Sequence, residues 1–249
     1  MKKFALIGSN ISHSLSPALF RAAYHSSMFS YDLIDSPTIE EAMEIFIREG
    51  YSGANVTSPY KESVLKYCSS RDPFVSKIGA ANLILFNRGS LHCHNTDYYG
   101  VKNSLEAAMV KESRALVVGA GGAAKAAIIA LKEMSIDVTI INRTDTKAQE
   151  LAKAFQTDWL PLEKFEKVIR EFRLLIYTID APIAGLERAN LMQHTVLEAN
   201  YKTPLFSDSK CNKYISGKEW LISQAIPSFK LFTQMEPDSK AMFEVAVDC

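Results

Sequence analysis

The stretch RALVVGAGGAAKAAIIALKEM, which begins at Arg114, limits the possible folds more than any other part of the chain. An apolar run leads into Gly119, Gly121 and Gly122 and then into an alanine-rich segment, so a buried strand, a tight turn and a helix follow one another. In that context glycines let backbone N–H groups approach a pyrophosphate at the helix N-terminus. The third glycine of the G-x-G-x-x-G spacing is Ala124 here, still small enough for close packing of helix on sheet. A bare structural turn is the other use of the same residues; the strand-turn-helix context favours the nucleotide.

The strand that follows, DVTIINR, discriminates between cofactors. An NAD site presents Asp or Glu to the ribose hydroxyls at the end of this strand, whereas this chain has Asn142-Arg143-Thr144. A guanidinium there suits the 2′-phosphate of NADP. Solvated surface is the ordinary place for a single arginine, and it is the position of Arg143 that singles it out.

Strand-like and helical runs alternate along the rest of the chain. Strands are expected at FALIG, YDLID, GANVT, LLIYTID and VLEANY, helices over 16–28, 38–50, 97–109 and 147–155, and a hairpin from ANLILF and SLHCH around Asn87-Arg88-Gly89. This alternation implies right-handed crossovers and a mostly parallel sheet with helices on both faces. The chain has 249 residues, enough for one large or two ordinary domains, and 47% are hydrophobic. Lys plus Arg and Asp plus Glu both count 28, so no charge excess argues for nucleic acid or an anionic membrane. A small-molecule substrate is the expected partner.

MKKFALIGSN is broken by Gly8 before it reaches the length of a signal-peptide core, and a mature N-terminus is the reading. No run has the apolar length of a membrane span. Cys68, Cys93, Cys211 and Cys249 show no paired spacing, which suits a reducing, cytoplasmic setting better than a disulfide framework or a zinc site. His92 and His94 share one face of a strand with no sequence-near ligand to complete a metal set, so no metal is expected.

Polar residues recur where strands should end, the place at which α/β sheets bind ligands. They are Ser14 and Ser16, Asn55 and Thr57, Asn82, and Asp97. Lys61, just past Pro59 and Tyr60, stands near a helix start, where the dipole disfavours a cation. Each also has a local use: the serines can cap the helix at Pro17, Thr57 and Asp97 can serve turns or caps, and the asparagines can satisfy loop backbone. Tyr60, Tyr98, Tyr99 and Trp220 are read as packing residues, and His13 as a local hydrogen-bonding group.

The ordered set SHSLSP, GANVTSPYK, IGAAN, NTDYYG, VGAGGAAKA, NRT, TPL and GKEWLISQAIPSF resembles the shikimate dehydrogenases over nearly the whole chain. The resemblance implies an α/β fold of two domains with a cleft between them: a substrate-binding domain with a mostly parallel sheet over 1–98 and 225–249, and a Rossmann-like NADP-binding domain over 99–224. It implies NADP-dependent, reversible reduction of 3-dehydroshikimate to shikimate, with Lys61 and Asp97 meeting at the reacting hydroxyl. It implies that Ser14, Ser16 and Tyr201 hold the substrate carboxylate and that Thr57, Asn82 and Gln224 bind ring hydroxyls. The cofactor residues it implies are Gly119, Ala120, Gly121, Gly122, Ala123, Asn142, Arg143, Thr144 and Gly217, the last letting backbone approach the nicotinamide. Monomer and homodimer both fit.

The chain departs from the family pattern at YTIDAP over 177–182, at Leu83 after Asn82, at EANYKTP over 198–204 and at Trp220. These changes bear on the nicotinamide side more than on substrate binding. An NAD-using quinate/shikimate dehydrogenase, a paralogue acting on a related amino or hydroxy acid, and a non-catalytic shikimate-binding paralogue are the alternatives. Intact Lys61 and Asp97 argue against the non-catalytic one.

Overall fold

In the computed structural model, which describes residues 1–248, the chain forms two units. One comprises Met1–Thr96 together with the segment from Gln224 onward; the other is the uninterrupted stretch Asp97–Ser223.

The first unit begins with β1 (Lys2–Gly8), α1 (Ser16–Ala23), β2 (Phe29–Asp35), α2 (Ile39–Arg48) and β3 (Gly53–Val56). It continues through β4 (Ser70–Arg71), α3 (Pro73–Ile78) and the hairpin of β5 (Leu83–Asn87) and β6 (Ser90–His94). The strand order is β2-β1-β3-β5-β6-β4. β1, β2 and β3 run parallel, while β5 is antiparallel to both β3 and β6. Arg88 and Gly89, with φ of 49° and 81°, make the hairpin turn, as a two-residue type I′ connection requires.

Apolar periodicity explains the layers. Ile39, Ala42, Met43 and Phe46 form the buried stripe of α2 and meet Ala5, Ile7, Ala54 and Val56 of the sheet. Thr38 caps that helix by accepting from the Glu41 amide. On the other sheet face Phe4 stacks on Phe232 at 4.7 Å and Phe20 on Tyr31 at 4.8 Å.

The second unit runs α4 (Asp97–Ala107), β7 (Arg114–Val118), α5 (Gly122–Glu133), β8 (Asp137–Asn142), α6 (Asp145–Phe155), β9 (Asp158–Pro161), α7 (Phe165–Val168), β10 (Leu174–Tyr177), β11 (Leu191–Glu198) and β12 (Cys211–Ile215). Among the described residues its sheet is wholly parallel in the order β12-β11-β10-β7-β8-β9. Read from β9, this is the doubly wound order of a Rossmann sheet, whose direction of winding reverses between β7 and β10. Leu116, Val117, Val118 and Leu174, Leu175, Ile176 are all fully buried, the continuous apolar signature of strands covered on both faces.

α8 (Gly217–Thr233) contains Pro227, and its residues from Gln224 belong to the first unit. There α9 (Ser239–Asp248) packs against α1.

Two expectations need correction. The helix expected over 16–28 ends at Ala23, because Tyr24 turns extended (φ −141°), packs its ring against Phe20 and Phe29, and donates its hydroxyl to the Met235 carbonyl. Tertiary packing overrides the local pattern. The cysteines without a paired spacing are not all apart: the structure brings Cys68 and Cys93 together, with Cα atoms 5.9 Å apart. Spacing concealed the pair because the pairing of β4 with β6 brings it together, with Arg71 opposite Cys93 itself. Cys211 is a free, buried thiol, and Cys249 lies outside the described residues.

Candidate active site

In the first unit the candidate side chains cluster because of strand direction. Ser14 and Ser16 follow the carboxyl end of β1, and Thr57 follows that of its parallel neighbour β3. Since β5 is antiparallel to β3, Asn82, just before β5, lies at the same edge, and its carbonyl accepts from the Val56 amide at 2.8 Å. The end of β6 pairs back to the start of β5, Leu83 opposite His94, which delivers Thr96 to this edge as well.

A closed polar network results. The Asn82 amide donates to Gln224 Oε1 at 3.1 Å and to Thr96 Oγ1 at 3.0 Å, while its Oδ1 accepts from the Thr96 amide at 2.8 Å. Thr96 Oγ1 also meets Gln224 Oε1 at 3.1 Å and Ser228 Oγ at 2.8 Å. Asn82, Thr96 and Ser228 are buried, and satisfied buried networks of this kind fix side-chain positions. Sequence reading found Asn82 and Gln224 but not Thr96 or Ser228. The signal was present in the N-T-D block and in the i, i+4 spacing of Gln224 and Ser228 on α8.

Lys61 is tied to the same framework. Its carbonyl accepts from the Ala81 amide at 2.8 Å, one residue from Asn82. The turn before it contains a cis Ser58–Pro59 bond and is held by Tyr60, whose buried hydroxyl donates to the Ser36 carbonyl at 2.7 Å. Thr57 is anchored through its amide to the Ile7 carbonyl at 2.9 Å.

The serines do not cap α1. Ser14 Oγ accepts from the Ser16 amide and lies 3.2 Å from Ser16 Oγ, while the N-cap position is Leu15. Two hydroxyls are thereby paired. Asn55 belongs instead to the core: its Oδ1 accepts from Tyr31 and its amide donates to Ser228 Oγ. Burial pushes the Tyr31 phenol well above its ordinary range, outweighing a hydrogen bond with Ser16.

His92 and His94 are separately engaged, His92 Nδ1 with Ser70 Oγ at 2.7 Å and His94 Nδ1 with Asp72 at 3.5 Å. Asp72 also caps α3 through the Val75 amide at 2.6 Å and accepts from the Asn95 amide. Burial alone would raise its carboxyl, but hydrogen bonds from His94, Val75 and Asn95 outweigh that and hold it below its ordinary value.

In the second unit the glycine turn lies where the winding reverses. Gly119 has φ of +119°, and a Cβ there would stand 2.2 Å from Thr178 Oγ1, the residue that follows β10. Only glycine fits that position. Gly121 and Gly122 differ: a Cβ on either would meet nothing within 4 Å, so their bare backbone faces open space at the start of α5. With Ala120 and Ala123 beside them, these residues form a cradle that fits a dinucleotide pyrophosphate. Arg143 and Thr144 are exposed beyond β8, and the Asn142 amide bridges to the Thr144 carbonyl at 3.0 Å, shaping the turn that presents them. No carboxylate ends this strand.

Asp97 is buried at the start of α4, and the adjacent Tyr98 hydroxyl bonds to Glu133 on α5. Burial, reinforced by Glu133, pushes the Tyr98 phenol up. Tyr201 is half-buried on the loop after β11. Gly217 opens α8 against that loop: a Cβ there would stand 2.7 Å from the Asn200 carbonyl carbon and 2.8 Å from the Ala199 oxygen. Among the described residues, no group of three or more His, Cys, Asp or Glu could hold a metal ion, and no helix is long and apolar enough to cross a membrane.

Both units resemble known proteins. Residues 6–84 match the family described as shikimate dehydrogenase substrate binding domain, and residues 101–208 match shikimate / quinate 5-dehydrogenase. A shikimate dehydrogenase (NADP(+)) of Thermus thermophilus is 34% identical, over 99% of this chain and 98% of the relative. The crystal structure of a Thermus thermophilus shikimate 5-dehydrogenase in complex with NADP(H) and shikimate aligns with a TM-score of 0.84 at 32% identity, covering 100% of this chain and 99% of the other. That of shikimate dehydrogenase from Aquifex aeolicus aligns with a TM-score of 0.90 at 28% identity, covering 98% and 97%.

Proposed function

Because the chain belongs to the shikimate dehydrogenase family, we propose that it catalyses the reversible, NADP-dependent reduction of 3-dehydroshikimate to shikimate in the cytoplasm. The observation that carries this reading is the network around Asn82, which sets an amide, Gln224 and the backbone of Lys61 on one framework. That is the equipment for a small acid bearing several hydroxyls.

NADPH, when bound, supplies the hydride that reduces the ketone. The ketone oxygen then gathers negative charge, and the Lys61 ammonium stabilises it as that charge develops. Asp97 accepts a hydrogen bond from a substrate hydroxyl and, with Lys61, handles the proton exchanged at the reacting oxygen. Thr57, Asn82 and Gln224 bind ring hydroxyls. The paired hydroxyls of Ser14 and Ser16, with Tyr201, donate to the carboxylate. Gly119, Ala120, Gly121, Gly122 and Ala123 receive the pyrophosphate, Asn142, Arg143 and Thr144 the adenosine 2′-phosphate, and Gly217 lets backbone approach the nicotinamide.

The test is to supply shikimate with NADP or NAD and follow the absorbance of the reduced nicotinamide. Rapid reduction with NADP and little with NAD is expected, and Arg143→Ala should remove most of that preference. Reduction mainly with NAD would transfer the chain to the quinate/shikimate type. Shikimate binding without reduction of either cofactor would make it a non-catalytic binder.

A further inference from the structure

Glu198, the last residue of β11, is fully buried and has no role in the chemistry above. Its carboxylate reaches across the loop that follows. Oε1 accepts from the Leu205 amide at 2.8 Å, and Oε2 accepts from the Tyr214 hydroxyl at 2.8 Å and the Phe206 amide at 3.4 Å. The two ends of loop 199–206 are thus closed onto one side chain. Tyr201 lies inside that loop.

Three further features hold the loop in one shape. The Asn200 side-chain oxygen Oδ1 accepts from the amides of Lys202 and Thr203, while its Nδ2 donates to the Thr203 carbonyl at 2.9 Å. Gly217 lies against the Ala199 and Asn200 backbone with no room for a side chain. Phe206 packs its ring on Tyr177, centroids 5.1 Å apart. A buried carboxylate is costly unless its oxygens are satisfied, and here the donors that satisfy it are the loop's own amides and a tyrosine from β12.

We infer that Glu198 is a positioning residue for Tyr201: its carboxylate, oriented by Tyr214, closes loop 199–206 so that the Tyr201 hydroxyl is held ready for the substrate carboxylate. The inference rests on the role given to Tyr201 above. Tyr214 supplies the only side-chain donor to Glu198 among the described residues, and burial together with the neighbouring carboxylate keeps its phenol protonated well above the ordinary range. Positioning of this kind acts on substrate binding more than on the hydride step or the cofactor, which it reaches only through Gly217 at the Ala199 and Asn200 end of the loop.

The test uses the full-length enzyme and two readouts. Trypsin cleavage after the exposed Lys202 reports loop order without turnover, and steady-state kinetics separate the KM for shikimate from kcat and from the KM for NADP. Glu198→Gln replaces one accepting oxygen with a donor, so cleavage at Lys202 and the KM for shikimate should each rise about tenfold, the cost of one strong hydrogen bond. kcat and the KM for NADP should change less than about twofold. Tyr214→Phe, which removes only a hydroxyl, should move both readouts the same way by a smaller factor, and Glu198→Asp should recover part of the loss. Should Glu198→Gln fail to fold, Tyr214→Phe alone decides. In a Tyr201→Phe background, Glu198→Gln should add little to the KM for shikimate, since the group it positions is already gone.

Faster cleavage with an unchanged KM for shikimate would overturn the inference, as would parallel losses in kcat and NADP binding. A wild-type enzyme that turns over shikimate with a KM unaffected by Tyr201→Phe would overturn it too, through the role of Tyr201, and would leave the dehydrogenase assignment standing. A wild-type enzyme with no turnover would remove that assignment and this inference together.

Discussion

The glycine turn of the second unit and the Asn82 network of the first are built on opposite principles. At the turn, the proposed cofactor site rests on what is missing: Gly119 has no side chain where Thr178 stands, and Gly121 and Gly122 leave open space. At the network, every position is filled by a polar side chain whose partners come from elements far apart in sequence, Asn82 with Thr96 and Gln224, and Thr96 with Ser228. Backbone reads a phosphate, which is alike in every nucleotide. Side chains read a pattern of hydroxyls, which differs from one small acid to the next.

The contrast can be broken in four places. Lys61→Ala should have the largest effect, lowering kcat by about 10²–10⁴-fold with a much smaller change in the KM for shikimate, because its charge matters most when the oxygen becomes negative. A loss confined to KM would show that Lys61 only binds. Next comes Gly119→Ala, a single added methyl. It forces a side chain into left-handed backbone and onto Thr178, a strain of about 1–3 kcal/mol, and should raise the KM for NADP by up to about a hundredfold. Unchanged NADP binding would mean that the turn is not the cofactor site.

Asn82→Ala should do less harm to the cofactor and more to the acid. It strips the Thr96 amide of its acceptor, a cost of about 1–3 kcal/mol, visible as a lower melting temperature and a weaker affinity for shikimate. Equal weakening of NADP binding would erase the division between the two regions. The smallest effect belongs to Asp72→Asn, since asparagine can still cap α3 through the Val75 amide and what is lost is the charge and the acceptor for the Asn95 amide. The Asp72 carboxyl is held below its ordinary value in the folded state, so the charge stabilises the fold above that ordinary value, and the advantage fades as pH falls through the depressed folded one. Urea midpoints of the two proteins should therefore differ slightly at neutral pH and converge in acid. A difference that grew on acidification would give Asp72 the wrong sign.

Legibility in the sequence followed the same divide. The turn of β7 and α5 was readable because strand, glycines and helix are contiguous, and the stripe of α2 was readable because its period is local. The network was not. Asn82 was picked out by its place at a strand end and Gln224 by family resemblance, but Thr96 and Ser228 resemble any capping or packing residue until β6 folds back on β5. β9 and β12 escaped for a related reason: DWLP and CNKYI are short and half-polar, and they become strands by pairing with β8 and β11. The Cys68–Cys93 pair was hidden for want of a spacing rule, and α1 was overextended because the packing of Tyr24 is invisible in a linear pattern.

The first unit is interrupted at Thr96 and resumed at Gln224, and this has a consequence for synthesis. A ribosome makes the chain from the N-terminus, and domains generally fold as units when they emerge. The second unit is contiguous and can close its core while the first still lacks Gln224, Phe229 and Phe232. The older half of the protein must wait, its aromatic face uncovered, for its younger part to be translated.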